Sequence, residues 1–595
     1  MDWNSTSLDA SRCNWTTVPC DREAARRLSD ALPIPEHIAG LLVSRGVAEP
    51  EAARRFLRPS LSQLGDPLLF PGMDEAARRI ARAIAAGERI VVFGDFDADG
   101  VGACAILGGV LSELGAKADI FLPDRLSEGY GLTAAAWERC RAASPDVRLL
   151  VTVDCGITSA GQIDAIRAEG VDVVVTDHHM PGDDLPRGCI LVNPHLGATP
   201  GSEHLCGAGV AFKLAHALVK RDKLERGLDR PATDLREYLD VVAVSTIADV
   251  VPLVGENRLL ACAGLNRLRT RPSQGMFALM DKAGLASEEV GGVNVAFRLC
   301  PRINAAGRMG SALAAYELLT ATDPDRAREL AVRLDHRNAE RHSIEQDVLD
   351  AARESLRARG FDPDREGAVV ADGGADWHPG VLGIVASRLS EEFQRPAAVI
   401  AFDAEGNGRG SLRAGDAGDY DILAALSGCE AFLERFGGHR RAGGFGLRRG
   451  QLDGFREAFS AACRDQAGGA AWAQATLSID GWLDPSEVSL EWIDPLSSLE
   501  PFGEGNPEPV WGFRGLSFAS PPRAVGADGA HLQANFRKDG ATLPAIGFGM
   551  GSLLPASLDA AAAGRTVDVV AVVQANAFNG SVFPQLNLRD LRISS

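Results

Sequence analysis

RIVVFGDFDADG, residues 89–100, runs an apolar strand straight into a turn that carries three aspartates at alternate positions, Asp95, Asp97 and Asp99. A short strand of Val and Ile without polar alternation suits a sheet that is covered on both faces. Working outward, an amphipathic helical pattern ends at Ala86 before this strand, and another runs to Leu114 after it. ADIFL, RLLVTV and VDVVVT follow, separated by further helical stretches. Strands alternating with helices predict an α/β unit with a doubly covered parallel sheet. In such sheets ligands bind beyond the carboxyl ends of the strands, so polar residues there carry more meaning than polar residues elsewhere.

Each strand end delivers a candidate. RLLVTV ends in Asp154, VDVVVT ends in Asp177-His178-His179, and the apolar helical stretch DVVAVSTIADVVPL (240–253) holds Asp249. A lone aspartate in that last position is more often a cap, and it gains interest only beside the others. DFDADG also begins like a calcium-binding EF-hand loop. That loop needs a preceding helix and a glutamate at its twelfth position, where this chain has a strand and Ile106. Gathering Asp95, Asp97, Asp99, Asp154 and Asp249 in a partly buried edge would cost several kcal/mol per uncompensated ion. Two divalent cations nearly neutralise the set. Oxygen donors with one or two imidazoles and no thiolate favour Mn2+ or Mg2+. A pair of such ions can activate water and clamp both oxygens of an in-line phosphoryl displacement.

The 595 residues exceed what one hydrophobic core supports, so three or four domains are expected. Hydrophobic residues at 46% and charged residues at 24% fit a folded protein. No apolar run spans a bilayer and the opening residues lack a leader pattern, which points to the cytoplasm and no membrane. Eleven cysteines without a CxxC pair argue against a disulfide framework or a zinc ribbon. The net charge of −19 speaks against a nucleic-acid substrate. Local fields differ from net charge, however, and the stretch from Arg435 to Leu452 holds five arginines and no carboxylate.

The expected organisation is an N-terminal helical segment at 1–75, a parallel-sheet domain at 76–322 and a long connecting helix at 323–360. A smaller α/β domain at 361–468 and an all-β barrel at 469–595 complete it.

GDFDADG, VDCG, TDHH and ADVVPL, in this order, resemble the successive motifs of the DHH phosphoesterase superfamily, and specifically of the RecJ exonucleases. PDRLSEGYGL, PRINAAGRMG, WHPGVLGIVASRLSE, GRGSLRA, FGGHRRAGGF and LEPFGEGNPEP resemble RecJ segments as well, so the likeness covers about 89–509. It implies a DHH domain, a DHHA1 domain and an OB-fold. It further implies metal ligation by Asp97, Asp99, Asp154, His178 and Asp249, with Asp95 as ligand or neighbour, His179 close by and Asp177 as a buttress. His439 joins these as a catalytic candidate. Substrate contacts are implied for Arg125, Tyr130, Arg302, Asn304, Arg308, His378, Arg409, Ser411 and Arg413, several of them around a 5′ phosphate. DHH pyrophosphatases have a histidine where this chain has Phe93, a departure that favours the nuclease branch.

The resemblance also implies two bound Mn2+ or Mg2+ ions, single-stranded DNA as substrate, 5′ to 3′ polarity, and a helicase and a single-strand DNA-binding protein as partners. A monomer is expected. A phosphodiesterase for short oligonucleotides or cyclic dinucleotides is the first rival, and a non-catalytic replication scaffold is the second. Phe513, Phe518, Phe536 and Phe578 are aromatics of the barrel that could stack on bases, though most such rings belong to a core.

Overall fold

The computed structural model describes residues 8, 13–363, 365–415, 418–468, 476–578 and 580–594. Its first sheet is parallel and five-stranded. After the N-terminal strand β1 (Asn14–Thr17), the strands are β2 (Arg89–Phe93), β3 (Lys117–Phe121), β4 (Val147–Val153), β5 (Asp172–Thr176) and β6 (Ile190–Val192), in the order β3-β2-β4-β5-β6. Alternation decides which core each residue joins. Ile90, Val92, Leu149 and Val151 face one apolar layer, whereas Val91, Phe93, Leu150 and Val175 face the other. Burial on both faces explains the unbroken Val/Ile/Leu runs.

Four N-terminal helices, α1 (Arg22–Ala31), α2 (Glu36–Ser44), α3 (Pro50–Leu57) and α4 (Met73–Ala86), precede the sheet. The helix that follows the aspartate turn is α5 (Ala98–Glu113), and α6 (Ala134–Ala143) and α7 (Ala160–Ala168) cross between strands. Behind the sheet lie α8 (Gly207–Glu225), α9 (Leu239–Ala248), α10 (Gly255–Thr270) and α11 (Cys300–Met309). The charged stretch folds as one helix, α12 (Pro324–Ala358). Its first half buries Ala327, Leu330 and Leu334 in the core of the first sheet, and its second half buries Leu349, Ala352 and Leu356 in the core of a second.

That second sheet is mixed, with β7 (Val369–Gly373), β8 (Ala397–Phe402), β9 (Asn407–Arg413), β10 (Arg435–His439) and β11 (Ala442–Arg448) in the order β10-β11-β9-β8-β7. Helices α13 (Leu382–Phe393) and α14 (Leu452–Gln466) pack on it. Next come β12 (Thr476–Ile479) and β13 (Gly481–Trp482). The C-terminal strands β14 (Trp511–Val525), β15 (His531–Lys538), β16 (Ala541–Gly547), β17 (Val567–Phe578) and β18 (Ser581–Ile593) close into a barrel, because β14 pairs with both β15 and β17. Phe513 and Phe536 are buried in its core, Phe518 is half-buried against Phe536, and the side chain of Phe578 lies outside the described residues.

The N-terminal segment serves two cores. Phe70 joins the core of the first sheet, whereas Leu28, Ile38, Leu42 and Ala53 share one core with Phe513, Leu532, Val569 and Leu586 of the barrel. Strand β1 pairs in parallel with β12, far along the chain. The Pro-interrupted sequence before residue 75 shows helices but carries no record of which distant surface they cover.

Candidate active site

The aspartate turn is built by helix capping. Asp97 is the N-cap of α5, and its Oδ1 accepts from the backbone N–H of Asp99 and Gly100 at 3.0 and 3.1 Å. Asp99, inside the first turn, takes a backbone N–H on each oxygen: Gly207 at 2.6 Å and Ala208 at 2.9 Å. Those amides begin α8, whose N-terminal dipole favours an anion. Asp154 follows β4 with φ of 61°, a left-handed backbone that few residues other than glycine adopt. Gly207 lies so close that a methyl group on it would meet the Asp154 Cβ at 2.5 Å.

The histidine pair is held by Asp177, whose carboxylate is fully occupied. Oδ2 accepts from Ile157 N at 2.9 Å, and Oδ1 accepts from His178 N, His179 N and the His179 ring, the last at 2.8 Å. Asp177 therefore orients the His179 ring, anchors the backbone of His178 and does not face the cluster. The Tyr130 hydroxyl lies 3.0 Å from His179 Nε2. His178 Nε2 points into the carboxylates, 3.1 Å from Asp154 Oδ1, 3.5 Å from Asp249 Oδ2 and 3.8 Å from Asp99 Oδ2.

Asp95 Oδ1, Asp154 Oδ1, His178 Nε2 and Asp249 Oδ2 are buried and make no hydrogen bond. Buried polar atoms are ordinarily satisfied, so four orphans aimed at one another need a cation. Among the described residues three triads place their donor atoms within 4.8 Å of one another: Asp95-Asp97-Asp154, Asp99-His178-Asp249 and Asp154-His178-His179. The donor set, mostly carboxylate with imidazole, fits Mn2+ or Mg2+.

Without a cation the electrostatics are adverse. Burial and then the Asp97 charge push the Asp99 carboxyl up to about 7, and burial and then Asp99 push Asp249 up to about 9. Asp95 and Asp154 move up for the same two reasons, burial and then a neighbouring carboxylate. Burial and then His179 hold His178 down to about 3, which leaves a neutral ring able to act as a ligand. Burial lowers His179, but its bond to Asp177 and the charges of Asp177, Asp95 and Asp97 together outweigh that and raise it.

Facing the carboxylates is a cluster of arginines. Arg308 is half-buried and donates to Gly380 O at 3.3 Å. Burial and then Arg125, Arg413 and Arg341 push it down to about 9. Arg125 stacks over Phe96 with its guanidinium carbon 5.0 Å from the ring centroid, within the fields of Asp95, Asp97 and Arg409. Arg413 donates to Ser411 Oγ at 3.3 Å, beside Gly383 at the start of α13. His439 sits within the fields of both Arg413 and His179. The second sheet thus brings Arg409, Ser411, Arg413 and His439 to face the first.

Three of the expected substrate residues have protein partners in this structure. Arg302 is turned to α12, where Asp335 accepts its Nε at 2.9 Å, and it is not brought to the cluster. Asn304 Oδ1 accepts from Ala98 N at 2.8 Å and so supports the aspartate turn from behind. His378 accepts from Gly380 N at 3.1 Å and shapes the turn before α13. Two further groups are not marked by the sequence. LCGAG, residues 205–209, supplies the amides under Asp99, and only the small residues at a helix start hint at the close approach. Arg341 extends the arginine cluster from α12 and sits inconspicuously in a charged helical run.

Known proteins share this arrangement of domains. The model of the DHH family, N-terminal domain, matches residues 89–246, that of the DHHA1 domain matches 366–465, and that of the RecJ OB domain matches 479–590. The single-stranded-DNA-specific exonuclease RecJ of Bacillus subtilis is 35% identical, over 98% of this chain and 71% of its own length. The RecJ of Thermus thermophilus is 37% identical over 91% of this chain and 75% of its own length. The chain belongs to the RecJ family. A crystal structure of RecJ from Thermus thermophilus in complex with Mn2+ superposes with a TM-score of 0.79, at 33% identity over 98% of this chain and 80% of that one. A second RecJ crystal structure from the same organism, with Mg2+, gives 0.72 at 31% identity over 98% of this chain and 78% of that one.

Proposed function

We propose that this RecJ family member is a metal-dependent exonuclease that degrades single-stranded DNA from a 5′ end and releases 5′ mononucleotides, in DNA repair and recombination. One observation carries the reading: a nest of buried, unpartnered carboxylate and imidazole atoms faces a half-buried arginine cluster across the two sheets.

Asp95, Asp97, Asp99, Asp154, His178 and Asp249 would hold two divalent ions, Mn2+ or Mg2+. Such ions supply an activated water and a clamp on the scissile phosphate. The chain's own residues do the rest. Asp177 fixes the His179 ring and the His178 backbone, and the α8 amides fix Asp99, so the donors are set before substrate arrives. Arg125, Arg308 and Arg413, with Ser411, form a pocket for a terminal phosphate, because each guanidinium offers several donors in a fixed plane. Arg409 and His439 approach from the second sheet and stabilise developing negative charge. A pocket for one terminal phosphate sets polarity by admitting an end.

Domains at 76–322, 361–468 and 469–595, the helix at 323–360 and the segment at 1–75 form the proposed division. A helicase that unwinds duplex and a single-strand DNA-binding protein are the proposed partners of a cytoplasmic monomer. Among the described residues no helix is long and apolar enough to cross a membrane.

The test is digestion of single-stranded DNA labelled separately at each end, with Mn2+, Mg2+ or chelator, for wild type and Asp154→Ala. Early release of mononucleotide from the 5′ end, abolished by chelator and by the substitution, is expected. Turnover of di- to tetranucleotides with no attack on long strands would overturn the reading in favour of a small-substrate phosphodiesterase.

A further inference from the structure

Helix α9 ends at Asp249, which is its C-cap with ordinary helical angles. The next residue, Val250, has φ of 57°. Glycine is the usual occupant of that position, since a left-handed backbone crowds a Cβ, and a β-branched side chain is the worst fit. Val250 also gains nothing from burial, because 66% of it is exposed. The chain therefore carries a strained residue with a bare isopropyl group beside a candidate metal ligand.

The strain is held from several sides. Val250 N donates to Ile247 O at 3.4 Å, Asn257 donates to Pro252 O at 3.1 Å, and Leu253 N donates to Glu504 O at 2.8 Å. The last contact belongs to a tight loop, residues 499–506. Gly505 in this loop lies against Pro252, where an added methyl would come within 3.0 Å. Buried Asn506 bonds to Leu499 O and Pro501 O, and Arg45 and Arg258 grip the same loop. An outlier conformation that its surroundings over-determine next to a site is a sign of use.

Other exposed apolar groups adjoin candidate ligands. Met180 follows His179 and is 68% exposed, and Tyr130, at 53%, reaches His179 with its hydroxyl. Of the parts of a nucleotide, the nucleobase is the uncharged one that exposed apolar groups can take. Unstacked bases of a single strand present flat faces to such groups.

We infer that Val250 is a specificity-determining contact, its isopropyl group lying against the base of a nucleotide that flanks the scissile phosphate. The inference rests on the exonuclease reading. The contact selects single strands, since a paired and stacked base does not present that face.

The experiment compares wild type, Val250→Gly, which relieves the strain, and Val250→Ile, which keeps a branched side chain. Substrates are a 5′-phosphorylated oligodeoxynucleotide and versions with an abasic site at the first or second position. On the intact oligonucleotide Val250→Gly is expected to raise KM about fivefold, the loss for two partly buried methyl groups, with kcat and the Mn2+ requirement nearly unchanged. The effect should be equal at about 50 and 200 mM salt, because no charge is removed. Val250→Ile restores KM. At the contacted position the abasic substrate brings wild type to the level of Val250→Gly, which loses nothing more. An unchanged KM, an abasic penalty equal in both proteins, or an effect confined to the Mn2+ requirement would each overturn the inference while the exonuclease reading stands. Absence of single-strand degradation by wild type would overturn that reading, and this contact with it.

Discussion

Gly207→Ala makes the most exposed test of the nest. The added methyl would meet the Asp154 Cβ and Oδ1 at 2.5 Å and Cγ at 2.6 Å, whereas ordinary contact begins near 3.4 Å. About 0.9 Å of movement is therefore required, the difference between 3.4 and 2.5 Å. Gly207 cannot supply it freely, because its N–H is bonded to Asp99 at 2.6 Å. Asp154 has little freedom either, with a left-handed φ of 61°. One methyl group thus pries two carboxylates apart. A displacement of about 1 Å at a reacting centre costs about 100-fold in rate, and overpacking a filled site costs about 1–3 kcal/mol of stability. Single-turnover digestion of 5′-phosphorylated single-stranded DNA over a Mn2+ titration reads the first effect, and thermal unfolding reads the second. The expected result is a folded protein with a kcat down about 100-fold and a raised Mn2+ requirement. Activity within about threefold of wild type would refute the reasoning, since Asp154 could then move without consequence.

Other outcomes follow from the same geometry. Asp177→Asn removes the charge that anchors the His179 ring and should raise the Mn2+ requirement about 10- to 100-fold with KM for DNA nearly unchanged; a change in KM alone would contradict its orienting role. Arg308→Ala or Arg413→Ala should abolish a preference for 5′-phosphorylated over 5′-hydroxyl ends, worth about 10- to 100-fold per charge-assisted bond lost, and retention of that preference would remove these residues from the phosphate pocket. Metal-free protein should lose stability as pH rises, because Asp99 and Asp249 hold their protons up to about 7 and about 9 in the folded chain, against 3.8 for an ordinary carboxyl. Stability from these groups is complete below about pH 4 and is lost as pH passes through the folded values, so Mn2+ should raise Tm more at about pH 9 than at about pH 6; an equal or smaller gain at the higher pH would refute this.

Much of the first sheet could be read from residues alone, because doubly covered strands such as RIVVF and RLLVTV write their burial into composition. The strand-end rule then located Asp95, Asp154 and His178 without reference to any relative. What escaped was long-range. Gly207 and Ala208 serve Asp99 across about a hundred residues, and no local pattern encodes that service. Arg302 illustrates the converse. It lies in a motif rich in candidates, yet Asp335 on α12 claims it, a pairing visible only once α11 and α12 are packed. The left-handed turn at Val250 was equally hidden, since a valine gives no signal of positive φ.

The joint core of the early helices and the barrel bears on how the molecule is made. Leu28, Ile38 and Leu42 are synthesised long before the surfaces that bury them, Phe513, Leu532 and Leu586. Until the barrel is made these helices lack most of their shared core, and helices of about ten residues are marginal alone. The two sheets that carry the site can form during synthesis, while these helices wait with exposed leucines until the barrel strands are made. Contacts of such high sequence separation form slowly, because the loop they close is long. A release just before β17 would leave the apolar faces of these helices and of the unclosed barrel uncovered, so premature termination there should yield aggregation more readily than a soluble, truncated enzyme.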